Sequence, residues 1–597
     1  MGFNRSAKNS KALGPDGISS LMLKHIGPNA IKYLTKFYNR VVNTATTPAV
    51  WKQSRIIALL KPGKPTDQGS SHRPISLLSP PAKILESILL PEITEAINLP
   101  RHQHGFRKCH STATALHEIS THITDGLNKK QPVDRTVAVA IDLSKAFDTV
   151  DHDLLMEDIY NLQLNGNIKR FLCSYIRGRQ TYVEFRGSKS TFRKMRQGVP
   201  QGGVLSPLLF NLYMAKMPQP PGNIKLSGYA DDNTILNSGR HYKPLCDEIN
   251  LYLNILDDWF KSRNLMISPS KSTATIFTTD TNDINIDLPI HIKNNKVPTV
   301  KKPKILGVTF DNLFNFRQHA TEIKSKVQSR NNILKALSGT TWGKEKEILL
   351  TTYKATSQSI LNYCSPIWTP NLCNTAWNDL QTTQNGALRT ITGCVKMTSS
   401  DHLHAECKIM PVKDHCTMLS KQFHLATRQE HHPNKRPLKT RPPRKMKKTL
   451  DTEFGDEISN IISAVGFDNN IYKKKLKQIH TESVRTAIAN QSNNRILNEP
   501  APSINKEELT LPRSARTSLA RLRSGFSPTL NSYTARIRND PTLDVCPICN
   551  QQNHTTQHLF NCPQNPTHLT TRDLWSKPVE AAQFLGLLDG QENDDNG

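Results

Sequence analysis

Asp231 and Asp232 stand side by side between two strand-like runs, and this pairing constrains the chain more than any other feature. Leu226, Gly228 and Ala230 lead into the pair and Thr234, Ile235 and Leu236 lead away, so the pattern predicts a tight hairpin with two carboxylates at its tip. Adjacent carboxylates repel unless water covers them or a cation lies between them. A divalent metal answers that need; an ordinary acidic turn is the plain alternative.

A third carboxylate narrows the choice. Thr136 to Ile141 is a short, apolar, β-rich run ending at Asp142, which passes into Leu143-Ser144-Lys145-Ala146-Phe147-Asp148. Between the two acidic places lies Arg196 to Pro207 (RQGVPQGGVLSP), whose glycines let the backbone approach a ligand closely. Ser206 and Pro207 form a predicted N-cap and first-turn pair for the helix that follows.

In this order, DLSKAFD, RQGVPQGGVLSP and YADD resemble the A, B and C motifs of reverse transcriptases. The details resemble the non-LTR (LINE-type) retrotransposon branch, above all its jockey-like elements. Upstream, Leu13-Gly14-Pro15-Asp16-Gly17, Lys61-Pro62-Gly63-Lys64, the run His72 to Leu78, and Gln103-His104-Gly105-Phe106-Arg107 look like that family's entry, fingers and pre-palm blocks. Downstream, Asn264 to Lys271 resembles the lysine-bearing D motif, and Ile305 to Asp311 the block leading to the primer grip.

The resemblance implies an α+β, right-hand polymerase of fingers, palm and helical thumb, followed by a mostly helical C-terminal region with a small zinc knuckle. The expected divisions are 1–60, a helical extension of the fingers; 61–311, fingers and palm; 312–400, a helical thumb; and 401–450, a helical segment with a basic disordered linker. Then come 451–540, a helical connector; 541–587, the CCHC zinc-knuckle region; and 588–597, a disordered tail. The implied activity is RNA-directed DNA polymerisation, copying an RNA template from a DNA primer or target DNA with deoxynucleoside triphosphates. Two Mg²⁺ ions, or Mn²⁺, would be held by Asp142, Asp231 and Asp232 and by the backbone carbonyl of Leu143. Lys271 is the candidate proton donor to pyrophosphate. Arg73 with Lys61 or Lys64 would grip the triphosphate, Phe147 would crowd the sugar 2′ position, and Gln201 and Gly202 would line the nucleotide pocket. Asp148 is assigned a local hydrogen-bonding role.

Composition agrees with a nucleic-acid partner: 78 Lys and Arg against 50 Asp and Glu give a formal charge of +28. No apolar stretch approaches the ~20 residues of a membrane span, and no signal-peptide core opens the chain. The cysteines are scattered apart from one cluster, which predicts a reducing compartment, nucleus and cytoplasm. A jockey-like product carries an endonuclease ahead of the polymerase, and the residues before Trp51 are too few to hold one. An inactive or co-opted nucleic-acid-binding relic and a group II intron-type maturase are the competing readings.

Four features lie beyond the polymerase motifs. Tyr363 and Trp368 are read as a core aromatic pair. His431 to Lys448 is a Pro-broken basic run, expected to be disordered, either a nuclear-import signal or nucleic-acid tether or a plain linker. Arg513, Arg516, Arg521 and Arg523 either grip phosphates or form an exposed helix face. Cys546, Cys549, His558 and Cys562 follow C-x2-C-x8-H-x3-C, a closed four-ligand set for structural Zn²⁺, with His554 as a rival for the histidine position.

Overall fold

The computed structural model describes residues 12–129, 133–339, 343–436, 447–463 and 469–588. Most of the basic run, 437–446, and the tail from 589 lie outside the described residues. The chain divides into two compact units, one reaching Gly307 and taking in His431–Asn434, the other holding most of the chain from Val308 onward.

In the first unit, α1 (Pro28–Asn43) leads to β1 (Gln53–Leu60) and β2 (His72–Leu77), then α2 (Pro80–Ala96), α3 (Thr112–Leu127) and β3 (Arg135–Ile141). Next come α4 (His152–Tyr160), α5 (Gly166–Ile176), β4 (Gln180–Phe185) and α6 (Ser206–Met214). The hairpin β5 (Lys225–Tyr229) and β6 (Asp232–Gly239), α7 (Tyr242–Ser262) and β7 (Thr273–Phe277) complete it. The central sheet is antiparallel, in the order β5-β6-β3-β7. β3 is paired on both sides, with Ala138 opposite Leu236 and Thr275. Both of its faces are covered, so Val137, Ala138 and Val139 are all buried and the sequence shows an apolar run instead of alternation.

Helices α3 and α7 pack on this sheet. α3 opens with a reciprocal capping box between Ser111 and Thr114. α7 buries Leu245, Ile249, Tyr252, Leu253, Leu256 and Phe260, the three- and four-residue spacing of one helix face. Each such side chain contributes about 2 kcal/mol by leaving water. A second sheet places β1 between antiparallel β2 and parallel β4.

The second unit is helical. α8 (Arg317–Leu337), α9 (Lys346–Tyr353), α10 (Asn374–Thr392) and α11 (Ser400–Cys407) share a core that includes Leu334, Leu349, Leu388, Ile391 and Leu403. α12 (Val412–Ala426) packs with α13 (Leu450–Ser463) and α14 (Asn469–Ala489) around Met418, Leu425, Ile458 and Ile479. A third core runs from Ile496 through Leu519 and Leu522 of α15 (Arg513–Arg523) to Phe560, Leu574, Trp575 and Ala582. The division expected at residue 540 therefore falls inside one core, because α15 supplies side chains to it. Of the aromatic pair expected in the core, Trp368 is buried against Trp377 with ring centroids 5.4 Å apart, whereas Tyr363 is 41 % exposed. Among the described residues no helix is long and apolar enough to cross a membrane.

The arginine cluster of α15 is neither an exposed face nor a phosphate grip. Arg513, Arg516 and Arg523 are buried. Arg523 donates to Glu406 at 3.2 Å and to the Leu574 carbonyl at 3.0 Å, and also pairs with Glu508. Lys346 bridges the same two glutamates at 3.0 and 3.1 Å. Arg516 pairs with Glu345 and Glu347, and Arg521 donates to the Gly393 carbonyl at 2.8 Å. Burial alone would raise the Glu406 carboxyl, but Lys346 and Arg523 outweigh it and hold it below its usual range. Removing one partner strands a buried charge, so Arg523→Ala is expected to cost about 3–5 kcal/mol, read by urea unfolding. Because Glu406 is depressed in the folded state, the stability it lends is complete above the ordinary carboxyl range and is lost as pH falls through and below that range. An Arg523→Ala variant that unfolds at the wild-type urea midpoint would remove the network from the account.

Candidate metal centres

β3 and the β5–β6 hairpin end at the same edge of the sheet. Ile141 lies opposite Asn233, and Tyr229 opposite Asp232. Continuing the first register by one step brings Asp142 alongside Asp232, next to Asp231 at the tip. Loss of surrounding water, with the charge of Asp142 added, holds the Asp231 carboxyl above its usual range. The packed surroundings of the tip, then Asp231 and Asp142, push Asp232 up to about 6, although its outer edge meets solvent. Three converging oxygen donors that repel one another are a fitting set for hard divalent cations.

The tip is held from a distance. Ala230 takes φ +59°, a left-handed conformation that costs a residue with a Cβ about 1–2 kcal/mol. Gln103 Oε1 accepts the N–H groups of Ala230 at 2.9 Å and Gly105 at 2.8 Å, and its Nε2 donates to the Ala230 carbonyl at 3.3 Å. His104 N–H donates to the Gly228 carbonyl at 2.7 Å and Gly228 N–H to the His102 carbonyl at 2.8 Å, so this segment runs beside β5. A Cβ at residue 105 would stand 2.4 Å from the Ala230 nitrogen, which leaves room only for glycine. Gln103→Ala would orphan buried N–H groups and is expected to cost about 1–3 kcal/mol. Thermal unfolding reads this, and an unchanged midpoint would mean that the turn holds itself.

Asp142 is anchored by the segment that resembles the D motif. Its N–H donates to Ser272 Oγ at 3.1 Å, that hydroxyl donates to the Ser268 carbonyl at 2.8 Å, and Ser268 N–H donates to the Asp142 carbonyl at 2.8 Å. Ser144 N–H donates to the Met266 carbonyl at 2.9 Å, so the bridge across Leu143 leaves that residue's own carbonyl out of the pairing. Lys271 Nζ lies 3.9 Å from Asp142 Oδ2, both groups being open to solvent.

The glycine-rich loop is stitched to its surroundings by backbone. Gly198 N–H donates to the Val150 carbonyl at 2.7 Å and Val199 N–H to that of Phe147 at 2.9 Å. Ser76 N–H of β2 donates to the Gln201 carbonyl at 2.7 Å. Gly202 has φ +132°, and a Cβ there would meet the Ser76 carbonyl at 2.5 Å, so its glycine is required by packing on β2. Gln201 Nε2 donates to Asp148 Oδ1 at 2.8 Å, which commits its amide within the loop and gives Asp148 the local role expected of it. The Phe147 ring stacks on Phe210 at 4.2 Å and meets Phe106 edge-on at 6.3 Å. Ser206 does not cap α6 as expected: it is the first helical residue, and Leu205 takes the cap position. The capping acceptor comes instead from α2, where the buried Glu86 Oε2 accepts Val204 N–H at 2.7 Å and Leu205 N–H at 3.0 Å. Arg73, Lys61 and Lys64 gather on the β1–β2 hairpin, where Arg73 is exposed opposite Leu59 and Lys61 Nζ donates to the Ser70 carbonyl at 3.0 Å.

Glu86 and Ser272 are supporting residues that the sequence reading missed, and it placed Gln103 in a family block without giving it a role. Glu86 left a trace as the one charge inside Ile84-Leu85-Glu86-Ser87-Ile88-Leu89-Leu90.

A second centre lies in the other unit. One ligand atom each from Cys546, Cys549, His558 and Cys562 lies within 4.8 Å of the others, and all four residues are buried. His558 Nδ1 donates to Gln552 Oε1 at 2.9 Å, which turns Nε2 toward Cys549 Sγ at 3.3 Å. The backbone N–H groups of Gln551 and Gln552 are the leading favourable contacts that hold the Cys549 thiol down to about 6. The rival His554 is occupied elsewhere, its Nδ1 accepting Asn531 N–H at 3.1 Å. Three sulfurs and one imidazole nitrogen, with no open position, fit a closed structural Zn²⁺ site.

Residues 61–310 match the reverse transcriptase (RNA-dependent DNA polymerase) family. The probable RNA-directed DNA polymerase from transposon BS of Drosophila melanogaster is 30% identical over 462 residues, 74% of this chain and 50% of that protein. The corresponding protein of transposon X-element, from the same species, is 32% identical over 449 residues, 73% of this chain and 48% of that one. The RNA-directed DNA polymerase from mobile element jockey of Drosophila funebris is 27% identical over 444 residues, covering 72% and 47%. The chain thus spans about half the length of the curated relatives it matches.

Proposed function

Because residues 61–310 belong to the reverse transcriptase family and the relatives are polymerases of jockey-like non-LTR elements, we propose that this chain is an RNA-directed DNA polymerase. It extends a DNA 3′ hydroxyl along an RNA template. The observation that carries this reading is the meeting of Asp142, Asp231 and Asp232 at one sheet edge, with Lys271 beside them. The central sheet with α3 and α7 serves as the palm, the β1–β2–β4 sheet as the fingers, and α8 to α11 as the thumb.

Asp142, Asp231, Asp232 and the Leu143 carbonyl would hold two Mg²⁺ ions, whose chemistry would be Lewis-acid activation of the primer hydroxyl and stabilisation of charge on the leaving pyrophosphate. Arg73, with Lys61 or Lys64, binds the triphosphate. Phe147, braced by Phe210, fills the space that a ribose 2′ hydroxyl would need. Gln201 and Gly202 form the wall of the nucleotide pocket through their backbone, since the Gln201 amide is held by Asp148. Lys271 moves a proton toward pyrophosphate. The Cys546, Cys549, His558 and Cys562 set would hold Zn²⁺ and fix the fold of the C-terminal region, and the protein would be found in the nucleus and cytoplasm.

The test is primer extension on poly(rA)/oligo(dT) with Mg²⁺ and dTTP, with UTP in a parallel arm. Extension with dTTP and at least about tenfold less with UTP is expected. A folded protein that binds the template and extends nothing would leave the relic reading standing.

Phe147→Val opens the space beside the sugar and is expected to raise UTP incorporation about tenfold or more relative to dTTP, an effect of about 1.4 kcal/mol. Unchanged discrimination would remove Phe147 from that role.

A further inference from the structure

A cleft of about 400 Å³ opens beside the zinc centre, between Arg495, Gly525 and Phe526 on one side and, on the other, α16 (Asn531–Arg538) and residues 555–557, which lead directly into His558. Two guanidiniums share one ring there: Arg495 lies 4.3 Å and Arg536 5.4 Å from the Phe526 centroid. Elsewhere in this unit Arg428, Arg516 and Arg523 are matched by carboxylates. Arg495 and Arg536 make no ion pair or hydrogen bond among the described residues. Arg495 instead feels partial burial and the like charge of Arg536. Of the two acids lining the cleft, Asp540 is engaged by Thr542, whose N–H and hydroxyl lie 3.0 and 2.6 Å from its Oδ1. Asp544 leaves a buried Oδ1 with no partner in the structure.

Paired cations that make no ion pair among the described residues, lie over one aromatic ring and open into a concave space call for an anion with a planar neighbour. A phosphodiester beside an unstacked base has that chemistry: phosphate oxygens take guanidinium N–H groups and a base lies on the guanidinium plane. We propose that this cleft binds a nucleotide of a single-stranded nucleic acid, with Arg495 and Arg536 gripping its phosphate and Phe526 orienting them. The proposal rests on the reading that the chain handles nucleic acid, and it uses none of the aspartates. The wall at residues 555–557 ties the cleft to the zinc centre, which would fix its shape.

The test uses the full-length, zinc-loaded protein and fluorescence anisotropy with labelled oligo(U) and oligo(dT), titrated at several salt concentrations. Arg495→Gln, Arg536→Gln is expected to weaken binding about tenfold and to lower the salt-dependence slope by about 0.7, the value for one phosphate of a single strand. Lys473→Gln, Lys474→Gln on the exposed surface of α14 removes the same charge and is expected to do far less. Phe526→Leu keeps both charges and is expected to weaken binding about two- to fivefold. Equal losses from the α14 pair, or wild-type binding by the cleft pair, would overturn the proposal. If the glutamine pair loses its zinc, Arg495→Lys, Arg536→Lys decides instead, since it preserves charge and weakens binding only if guanidinium geometry matters. The RNA and DNA arms identify the strand. Primer extension by the wild-type protein is read on the same preparation, so that failure of the polymerase reading and failure of the cleft remain distinguishable.

Discussion

Primer extension by the Asp231→Ala, Asp232→Ala variant is expected to fall at least about a thousandfold, which is about 4 kcal/mol of lost transition-state stabilisation. The variant should nonetheless fold. Asp232 is pushed up to about 6 by its packed surroundings and by Asp231 and Asp142, so removing two of three crowded carboxylates relieves repulsion in the metal-free protein. The expected signature is therefore an unchanged or slightly higher melting temperature with almost no synthesis, the usual trade between stability and activity at a charged site. Asp148→Asn is the matched control. It weakens the contact with Gln201 and should cost about tenfold or less, because Asp148 accepts from the Gln201 amide and is not one of the three carboxylates that meet at the sheet edge. A double variant that keeps more than a tenth of wild-type extension would show that the metals are held elsewhere.

Loss of zinc should produce the other large effect. The four ligands come from a segment with little secondary structure, in which only Thr556–Leu559 is helical, so few backbone hydrogen bonds hold it in place. Zinc-finger peptides draw about 10 kcal/mol or more from the metal. Here Phe560 and Trp575 belong to the core shared with α15, so part of the fold has independent support and the loss should be several kcal/mol smaller. Purified protein is expected to carry one zinc per chain. Chelation, or Cys562→Ser, should expose Trp575, shift its fluorescence to longer wavelength and open the region beyond α15 to protease. Protein that arrives without zinc and is indifferent to chelator would show that the cysteines are free thiols.

The parts of this arrangement written locally were readable in advance. β3 ends at Asp142 after an unbroken apolar run, the hairpin pattern brackets Asp231 and Asp232, and the spacing of Cys546, Cys549, His558 and Cys562 places a closed ligand set. The parts that depend on distant partners were not. Gln103 holds Ala230 from 127 residues away, and Glu86 accepts the N–H of Val204, 118 residues later and just ahead of α6. The arginines of α15 were misread because both readings assumed exposure, whereas Glu406 reaches Arg523 across 117 residues. Local pattern fixes which carboxylates converge; long-range complementarity fixes how firmly they are held, and a single sequence carries little record of the second.

The fit of Gly105 against Ala230 has a consequence for related sequences that keep the acidic motif. A copy can retain all three aspartates and still be silent, because any side chain at residue 105 would collide with the turn that carries two of them. Loss of Gln103 would release the same turn by another route. Scoring genomic copies for competence by the acidic motif alone would therefore overcount the living ones. Gly105 and Gln103, neither of them a candidate metal ligand, belong in the same test of whether the turn can still present its carboxylates.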